Sequence, residues 1–413
     1  MKSFKIINSG CKVNYYEAIA LKQALESQGF VEKPDPDIFI INTCTVTSKA
    51  DSKNLYSIRK IKHDFPQAKV AVIGCMVEDN KDRLKSAGAD FLFNQEDKFR
   101  VINILTSFDK QYTTWDMQVS NFIHNRALVK IQDGCNNRCS FCKVCLVRGK
   151  SISRPYQDIL EEVESLVKKG FEEIIICGVN ILDYKDLDSN LDFKGLLDKV
   201  SSLEGLGRVR LSSLEPINLD DDLIDYLSFN KKICPHFHIP FQSADSDILK
   251  AMNRKVDSSF YYRIVDRIKK NNPWAGISCD FIIGFPGEKD INFRNTVEFI
   301  GYIKPVKVHL FSFSARQGTK AWGMDDKISP KVIRERKEFL EGYSAKRCQE
   351  FLSNFIDSDL EVVFDAKSKM DFAFGYSKEY IRVKLPLSGF IPTPKITLVL
   401  AKEVQKGAIL AQI

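Results

Sequence analysis

Three thiols crowd into the stretch Gln132-Asp133-Gly134-Cys135-Asn136-Asn137-Arg138-Cys139-Ser140-Phe141-Cys142. The spacing Cys-x3-Cys-x2-Cys suits three corners of a cubane iron-sulfur cluster and leaves the fourth iron open to bind and activate a small molecule. A structural zinc site instead wants four closed ligands, usually as two pairs. No second Cys-x2-Cys stands at the usual distance, and Cys145, three residues on, is the thiol that could complete a zinc site. Three more cysteines lie far apart: Cys11 after Ser9-Gly10, Cys44 after Asn42-Thr43, and Cys75 after Gly74. Each alone reads equally well as a small buried hydrophobe. All three, however, follow directly on short apolar runs, which favours a shared metal site.

The elements that must position these residues can be read from the pattern. Phe4–Ile7, Asp37–Ile41 and Lys69–Ile73 read as strands and Tyr15–Ser27 and about Ser48–Lys62 as helices, followed by the apolar Asp90–Phe93. The alternation predicts a small parallel α/β sheet. Ligands of such sheets sit at the carboxyl ends of the strands, so Cys11, Cys44 and Cys75 should converge there. After a looser stretch, Ser107–Arg126, six strands are expected near Ala127–Ile131, Glu173–Cys177, Arg208–Ser212, His236–Pro240, Ile277–Ile283 and Val306–Phe313, separated by helical patterns. That series predicts a partial TIM-type (β/α)6 barrel with its site on the face of the strand carboxyl ends. Lys331–Phe355 reads as a closing helix. From Leu360 onward only β runs follow, as in a small OB-like barrel. The expected domains are residues 1–112, 121–352 and 353–413.

At 413 residues the chain exceeds one ordinary domain. A formal charge of +7 permits nucleic acid as a partner without demonstrating it. No signal-peptide pattern opens the chain and no run approaches about 18 apolar residues, so a cytoplasmic protein with no membrane partner is expected. In that compartment eleven cysteines, an odd number, point to metal or redox chemistry before disulfides. In the last barrel, Phe372, Phe374, Tyr376, Tyr380, Arg382 and Lys384 interleave aromatic and basic groups, suitable for stacking on unpaired bases; an ordinary barrel surface would read much the same. Lys49, Lys53, Arg59 and Lys60 are open to the same two readings. His236 and His238 alternate along one strand and are read as packed or hydrogen-bonded rather than as ligands.

With Cys-x3-Cys-x2-Cys at the end of the first barrel strand, the chain resembles the radical S-adenosylmethionine (SAM) enzymes. The preceding domain with Cys11, Cys44 and Cys75 looks like that of the methylthiotransferases, and the C-terminal barrel looks like their RNA-binding TRAM domain. Gly10-Cys11-Lys12-Val13-Asn14, Asn42-Thr43-Cys44-Thr45-Val46-Thr47 and Gly375–Val383 are similar to the branch acting on N6-threonylcarbamoyladenosine in tRNA. The isopentenyladenosine branch typically has Gly-Cys-Gln-Met-Asn, and the ribosomal-protein branch a Gly-Phe pair after the second cysteine; this chain has neither.

The resemblance implies two [4Fe-4S] clusters. One, on Cys135, Cys139 and Cys142, would bind SAM and cleave it to a radical that takes hydrogen from carbon 2 of the adenine. The other, on Cys11, Cys44 and Cys75, would carry the sulfur to be methylated and inserted. It also implies an electron-donor protein and a sulfur source as partners, and SAM contacts from Gly178 and Asn180. Ser212, Ser213, Glu215 and Gln242, polar groups at the next two strand ends, are further SAM candidates or else bond locally in turns. Gly284–Glu288 either borders the cofactor or only turns a strand into a helix. The chain departs from the family pattern at Cys145-Leu146-Val147, at Ala244 and over Phe311–Arg316.

Overall fold

β1 (Ser3–Asn8), β2 (Val31–Glu32), β3 (Ile38–Thr43), β4 (Lys69–Gly74) and β5 (Phe91–Phe93) form a five-stranded parallel sheet ordered β2-β1-β3-β4-β5, with β3 at its centre. The structure is a computed structural model that describes residues 3–106, 115, 118–122, 124–366, 371–387 and 389–413. Part of the looser stretch, residues 107–114, 116–117 and 123, lies outside them. β2 was not expected, because an exposed two-residue edge carries no apolar run to read. β3 and β4 are almost wholly buried, as parallel strands covered on both faces must be.

Helices α1 (Lys12–Ser27), α2 (Ser48–Asp64) and α3 (Val77–Ser86) follow β1, β3 and β4. The first begins three residues earlier than its apolar pattern suggests, directly after Cys11, whose backbone caps it. α4 (Val101–Thr106) then ends the domain.

Six parallel strands form the partial barrel: β6 (Ala127–Lys130), β9 (Glu173–Cys177), β10 (Arg208–Leu211), β11 (His236–Gln242), β12 (Gly276–Ile283) and β13 (Lys307–Ser312). They hydrogen-bond as two three-stranded sheets, β6-β9-β10 and β11-β12-β13. The bridge between Ser213 and His238, with the Leu214 amide donating to the His238 carbonyl at 2.8 Å, joins them. Between the first two strands, β7 (Gln132–Asp133) enters the cysteine loop, α5 (Val144–Val147) lies in it and β8 (Ile152–Ser153) leaves it. Helices α6 (Tyr156–Lys168), α7 (Phe193–Ser201), α8 (Asp221–Phe229), α9 (Ser246–Ala251), α10 (Ser258–Asn271) and α11 (Asp290–Ile303) separate the later strands. Aspartates 192, 220, 245 and 257 cap the amino ends of α7 to α10.

After α12 (Pro330–Ser353), a closed barrel ordered β14-β15-β16-β18-β17 encloses Val362, Phe364, Val383 and Ile409. Its strands are β14 (Asp359–Phe364), β15 (Phe372–Ser377), β16 (Arg382–Pro386), β17 (Ile396–Gln405) and β18 (Ala408–Gln412).

By backbone proximity the chain divides into two compact units, neither contiguous in sequence. One is Met1–Ser120, Asp133–Arg154 and Ser314–Trp322; the other is Asn121–Gln132, Pro155–Phe313 and Gly323–Ile413. Both sets of cysteines belong to the first.

Candidate functional site

The loops after β1, β3 and β4 bring Cys11, Cys44 and Cys75 together. Gly10 has φ +123°, and a Cβ there would stand 2.7 Å from Cys44 Cβ, so only glycine fits between the first two loops. Asn14 Nδ2 donates to the carbonyls of Ser9 and Thr43, and the Cys75 amide donates to Thr43 O. Asn54 Nδ2 donates to Cys44 O. Burial pushes the Cys44 thiol up to about 11, opposed by the Val46 amide, while Cys11 and Cys75 beside it add to the rise. Burial also raises Cys75, opposed by the nearby Arg148 guanidinium. Thiols that resist ionisation alone but stand in a group beside a cation suit a metal whose own charge deprotonates them.

The second set is held in its own loop. Gly134 has φ +71°, and a Cβ would run into Lys150 O at 2.0 Å. The amides of Asn137 and Val144 point at Cys135 Sγ and Cys142 Sγ, at 3.4 and 3.5 Å. Burial raises Cys142 to about 12, with Cys139, Cys135 and Cys145 adding their charges. N–H groups aimed at sulfur fit an anionic cluster, since hydrogen bonds to sulfurs are among the levers that tune such centres. Cys145 sits in α5 with its Sγ 4.0 Å from Cys142 O.

A buried charge network ties the loop to the first set. Arg148 Nη1 donates to Asp133 Oδ1 at 2.8 Å and to Glu17 Oε1 at 3.2 Å, and its Nη2 donates to Asn14 Oδ1 at 2.6 Å. Glu17 also pairs with the fully buried Lys98 at 2.7 Å. Burial works against the Arg148 charge, yet Glu17 and Asp133 hold its pKa well above the ordinary value. Gln95 completes the network. With its amide oxygen turned to accept from Lys98 and, at 3.0 Å, from Arg148, its NH2 faces Cys75 Sγ at 3.9 Å. Arg316, in the segment that departs from the family pattern, donates at 2.7 Å to Oγ1 of Thr45, the residue after Cys44, and pairs with Asp51 at 2.5 Å. Sequence reasoning missed Glu17, Gln95, Lys98, Asp133 and Arg316. Of these, only Glu17 and Asp133 stand within a few positions of a candidate cysteine, and surface charges look the same.

The second unit holds the strand-end residues. Asn180 is 3% exposed; its amide N–H donates to Gln132 Oε1 at 2.8 Å, and neither polar atom of its side chain has a hydrogen-bond partner among the described residues. Ser212 Oγ is likewise buried and unpaired there. A Cβ on Gly178 would meet Gln132 Oε1 and Ile181 at 3.0 Å. Gln242 ends β11 at φ +68°, a left-handed conformation costly for a side chain of its size. Buried unpaired polar groups beside a narrow glycine turn are what a polar cofactor would satisfy. Ser213 bridges to His238. Glu215 is committed to an ion pair with Arg254 at 2.6 Å; burial raises its pKa against that cation. Gly284 accepts a turn role, its amide donating to Glu288 Oε2 at 3.2 Å.

The last barrel divides the aromatic residues read as a stacking set. Tyr380 stacks on His236 at 4.4 Å and on Tyr376 at 4.7 Å, and the guanidiniums of Arg210 and Arg126 cover the two tyrosines. These rings are engaged within the fold, which favours the ordinary-barrel alternative for the two tyrosines. Phe374 with Arg382 at 4.9 Å and Phe372 with Lys384 at 5.4 Å form cation-π pairs across β15 and β16 and keep the stacking geometry. His236 Nε2 lies 2.8 Å from Ser278 Oγ, packed and hydrogen-bonded as expected.

The radical SAM superfamily matches residues 129–300, and the uncharacterized protein family UPF0004 matches residues 3–94. The chain is 33% identical over its full length to the threonylcarbamoyladenosine tRNA methylthiotransferase MtaB of Chlamydia pneumoniae, covering 98% of that protein. To MtaB of Thermotoga maritima it is 31% identical, with 92% of this chain and 91% of the relative covered. The tRNA-2-methylthio-N(6)-dimethylallyladenosine synthase of Carboxydothermus hydrogenoformans is 33% identical over 90% of this chain and 89% of its own. Among solved structures, the radical SAM methyltransferase TsrM of Kitasatospora setae shares the fold, with a TM-score of 0.56 at 13% identity over 75% of this chain and 73% of that one.

Proposed function

This chain belongs to the radical SAM methylthiotransferase family, and on that premise we propose that it methylthiolates carbon 2 of N6-threonylcarbamoyladenosine beside the anticodon of tRNA. The observation that carries the reading is the pair of three-cysteine sets in one compact unit. The full-length likeness to a threonylcarbamoyladenosine enzyme favours that substrate. When bound, [4Fe-4S] clusters on Cys135, Cys139 and Cys142 and on Cys11, Cys44 and Cys75 would supply the electron for SAM cleavage and a docking point for sulfur.

The chain's own groups do the rest. Amides at Asn137 and Val144 and the buried Arg148 hold the sulfur ligands in place. Asn180, Ser212 and the Gly178 turn would bind SAM, with Ser213, Glu215 and Gln242 at the neighbouring strand ends in supporting positions. Phe372, Phe374, Arg382 and Lys384 would bind the tRNA by stacking and phosphate contact. An electron-donor protein and a sulfur source complete the partners. No helix among the described residues is long and apolar enough to cross a membrane.

Mass spectrometry of tRNA nucleosides from a host lacking such enzymes, with and without this gene, tests the reading. The expected product is 2-methylthio-N6-threonylcarbamoyladenosine. A methylthio dimethylallyl product would move the chain to the other tRNA branch, and absence of both in a host making active iron-sulfur protein would reject a tRNA substrate.

A further inference from the structure

The interior face of β11–β13 carries a polar trio that none of these roles uses. Along β11, Phe241 packs outward against Tyr261 of α10 and Phe299 of α11. Phe281 of β12 stacks over Phe241 from the same side. With Phe281 outward, its neighbour Asp280 turns inward; His309 pairs in register with Asp280, and His238 with Ser278, two residues before Asp280 on the same face. His238 Nε2 lies 3.3 Å from Asp280 Oδ2. The ring of His309, on β13, meets the His238 ring edge-on at 5.7 Å. The nitrogen and oxygen atoms of the three lie within 4.8 Å of one another, and all three side chains are half-buried. One polar residue from each of three adjacent strands thus converges inside the barrel. His238 bridges to Ser213, one residue beyond Ser212, so the trio adjoins the strand ends that carry the cofactor candidates.

Resting on the tRNA methylthiotransferase reading, we propose that His238, Asp280 and His309 are the pocket that receives the threonylcarbamoyl group and so select it over a hydrocarbon substituent. In adenine, carbon 2 and the N6 substituent flank N1 on opposite sides. Presenting carbon 2 to a cofactor beside Asn180 and Ser212 therefore leaves the N6 group to reach the adjoining trio across the barrel interior. A threonylcarbamoyl group offers a carboxylate, a hydroxyl and carbamoyl N–H groups. The trio offers the complement: imidazole N–H donors for the carboxylate, and the Asp280 carboxylate as acceptor for the hydroxyl or carbamoyl N–H. A dimethylallyl group would desolvate those polar atoms and offer them nothing in return, the situation in which a polar site rejects an analogue most strongly.

The test uses reconstituted holoenzyme and anticodon stem-loops that carry threonylcarbamoyladenosine or dimethylallyladenosine at the modified position. Wild type should favour the former in kcat/KM. His309→Leu and Asp280→Asn should each lower kcat/KM for it roughly 10- to 100-fold, chiefly through KM. Both should leave dimethylallyl turnover no worse and RNA-free SAM cleavage unchanged, the latter reporting intact folding. Wild-type kcat/KM in both variants would overturn the assignment. So would one equivalent of a non-iron divalent metal that His309→Leu loses. Wild type that acts on neither stem-loop while cleaving SAM would instead overturn the substrate reading beneath it.

Discussion

Arg148 and Asn14, 134 residues apart in the chain, meet at 2.6 Å. The contact joins the residue six places beyond Cys142 to the residue three places beyond Cys11. It also balances two buried carboxylates, Glu17 and Asp133, against two buried cations, Arg148 and Lys98. Neither set of sulfur ligands is therefore built independently of the other.

Arg148→Met should be severely destabilising, because it strands Glu17 and Asp133 with one cation fewer. Removing one partner of a buried pair costs about 3–5 kcal/mol. Thermal melting of the metal-free protein should show a large drop in Tm, and reconstitution should give fewer irons per chain.

Gln95→Leu tests a subtler contact. Losing the N–H aimed at Cys75 Sγ removes a hydrogen bond that favours the reduced, more negative cluster. EPR-monitored titration should find the cluster on Cys11, Cys44 and Cys75 at a lower potential, with iron content unchanged.

Asn180→Leu should weaken SAM binding roughly 10- to 100-fold, since the buried amide that finds no partner among the described residues would no longer reach the cofactor. Equilibrium dialysis with labelled SAM measures this directly. Because the leucine removes an unpaired polar group, Tm should not fall in parallel.

Cys145→Ser should retain iron content and 5′-deoxyadenosine formation, because Arg148 and Gly149 fix the loop through Asp133 and Cys135. A variant that cleaves SAM where the wild type does not would show that Cys145 blocks the open iron.

Glu173 predicts an acid transition. Burial pushes its carboxyl up, but Arg210 and Arg208 outweigh this and hold it at about 2. Arg208 and Arg210 also donate to the carbonyls of Tyr376 and Ser377, so the carboxylate pins the last barrel to the partial one. A depressed pKa stabilises the fold above the ordinary value of 4.5 and loses that contribution as pH falls toward 2. The full effect is on the order of 3 kcal/mol. The Tm gap between wild type and Glu173→Gln, measured on metal-free protein, should shrink steadily between pH 5 and pH 2.5.

Much of this architecture was legible without coordinates. The six candidate cluster cysteines stand out because thiol spacing and strand-then-cysteine order are local patterns, and the strands of the partial barrel announce themselves as apolar runs such as Glu173–Cys177. Less legible was the fate of polar and aromatic side chains. Tyr376 and Tyr380 read as an RNA platform because alternation shows which residues share a face, not what covers that face. Here the turn after Ser377 approaches so closely that a Cβ on Gly276 would reach Glu379 O at 1.9 Å.

The sequence by itself determined the class of chemistry, since cluster ligation depends on residue type and short spacing. It also determined the order of elements, which follows from the periodicity of apolar residues. Only the tertiary structure decided which charges are buried partners: Arg148 with Glu17, Arg316 with Asp51, Glu173 with Arg208 and Arg210. It alone brought the side chains of His238, Asp280 and His309 together. The reason is physical. A charge's role is set by its burial and its neighbours, and both depend on contacts between residues tens to hundreds of positions apart.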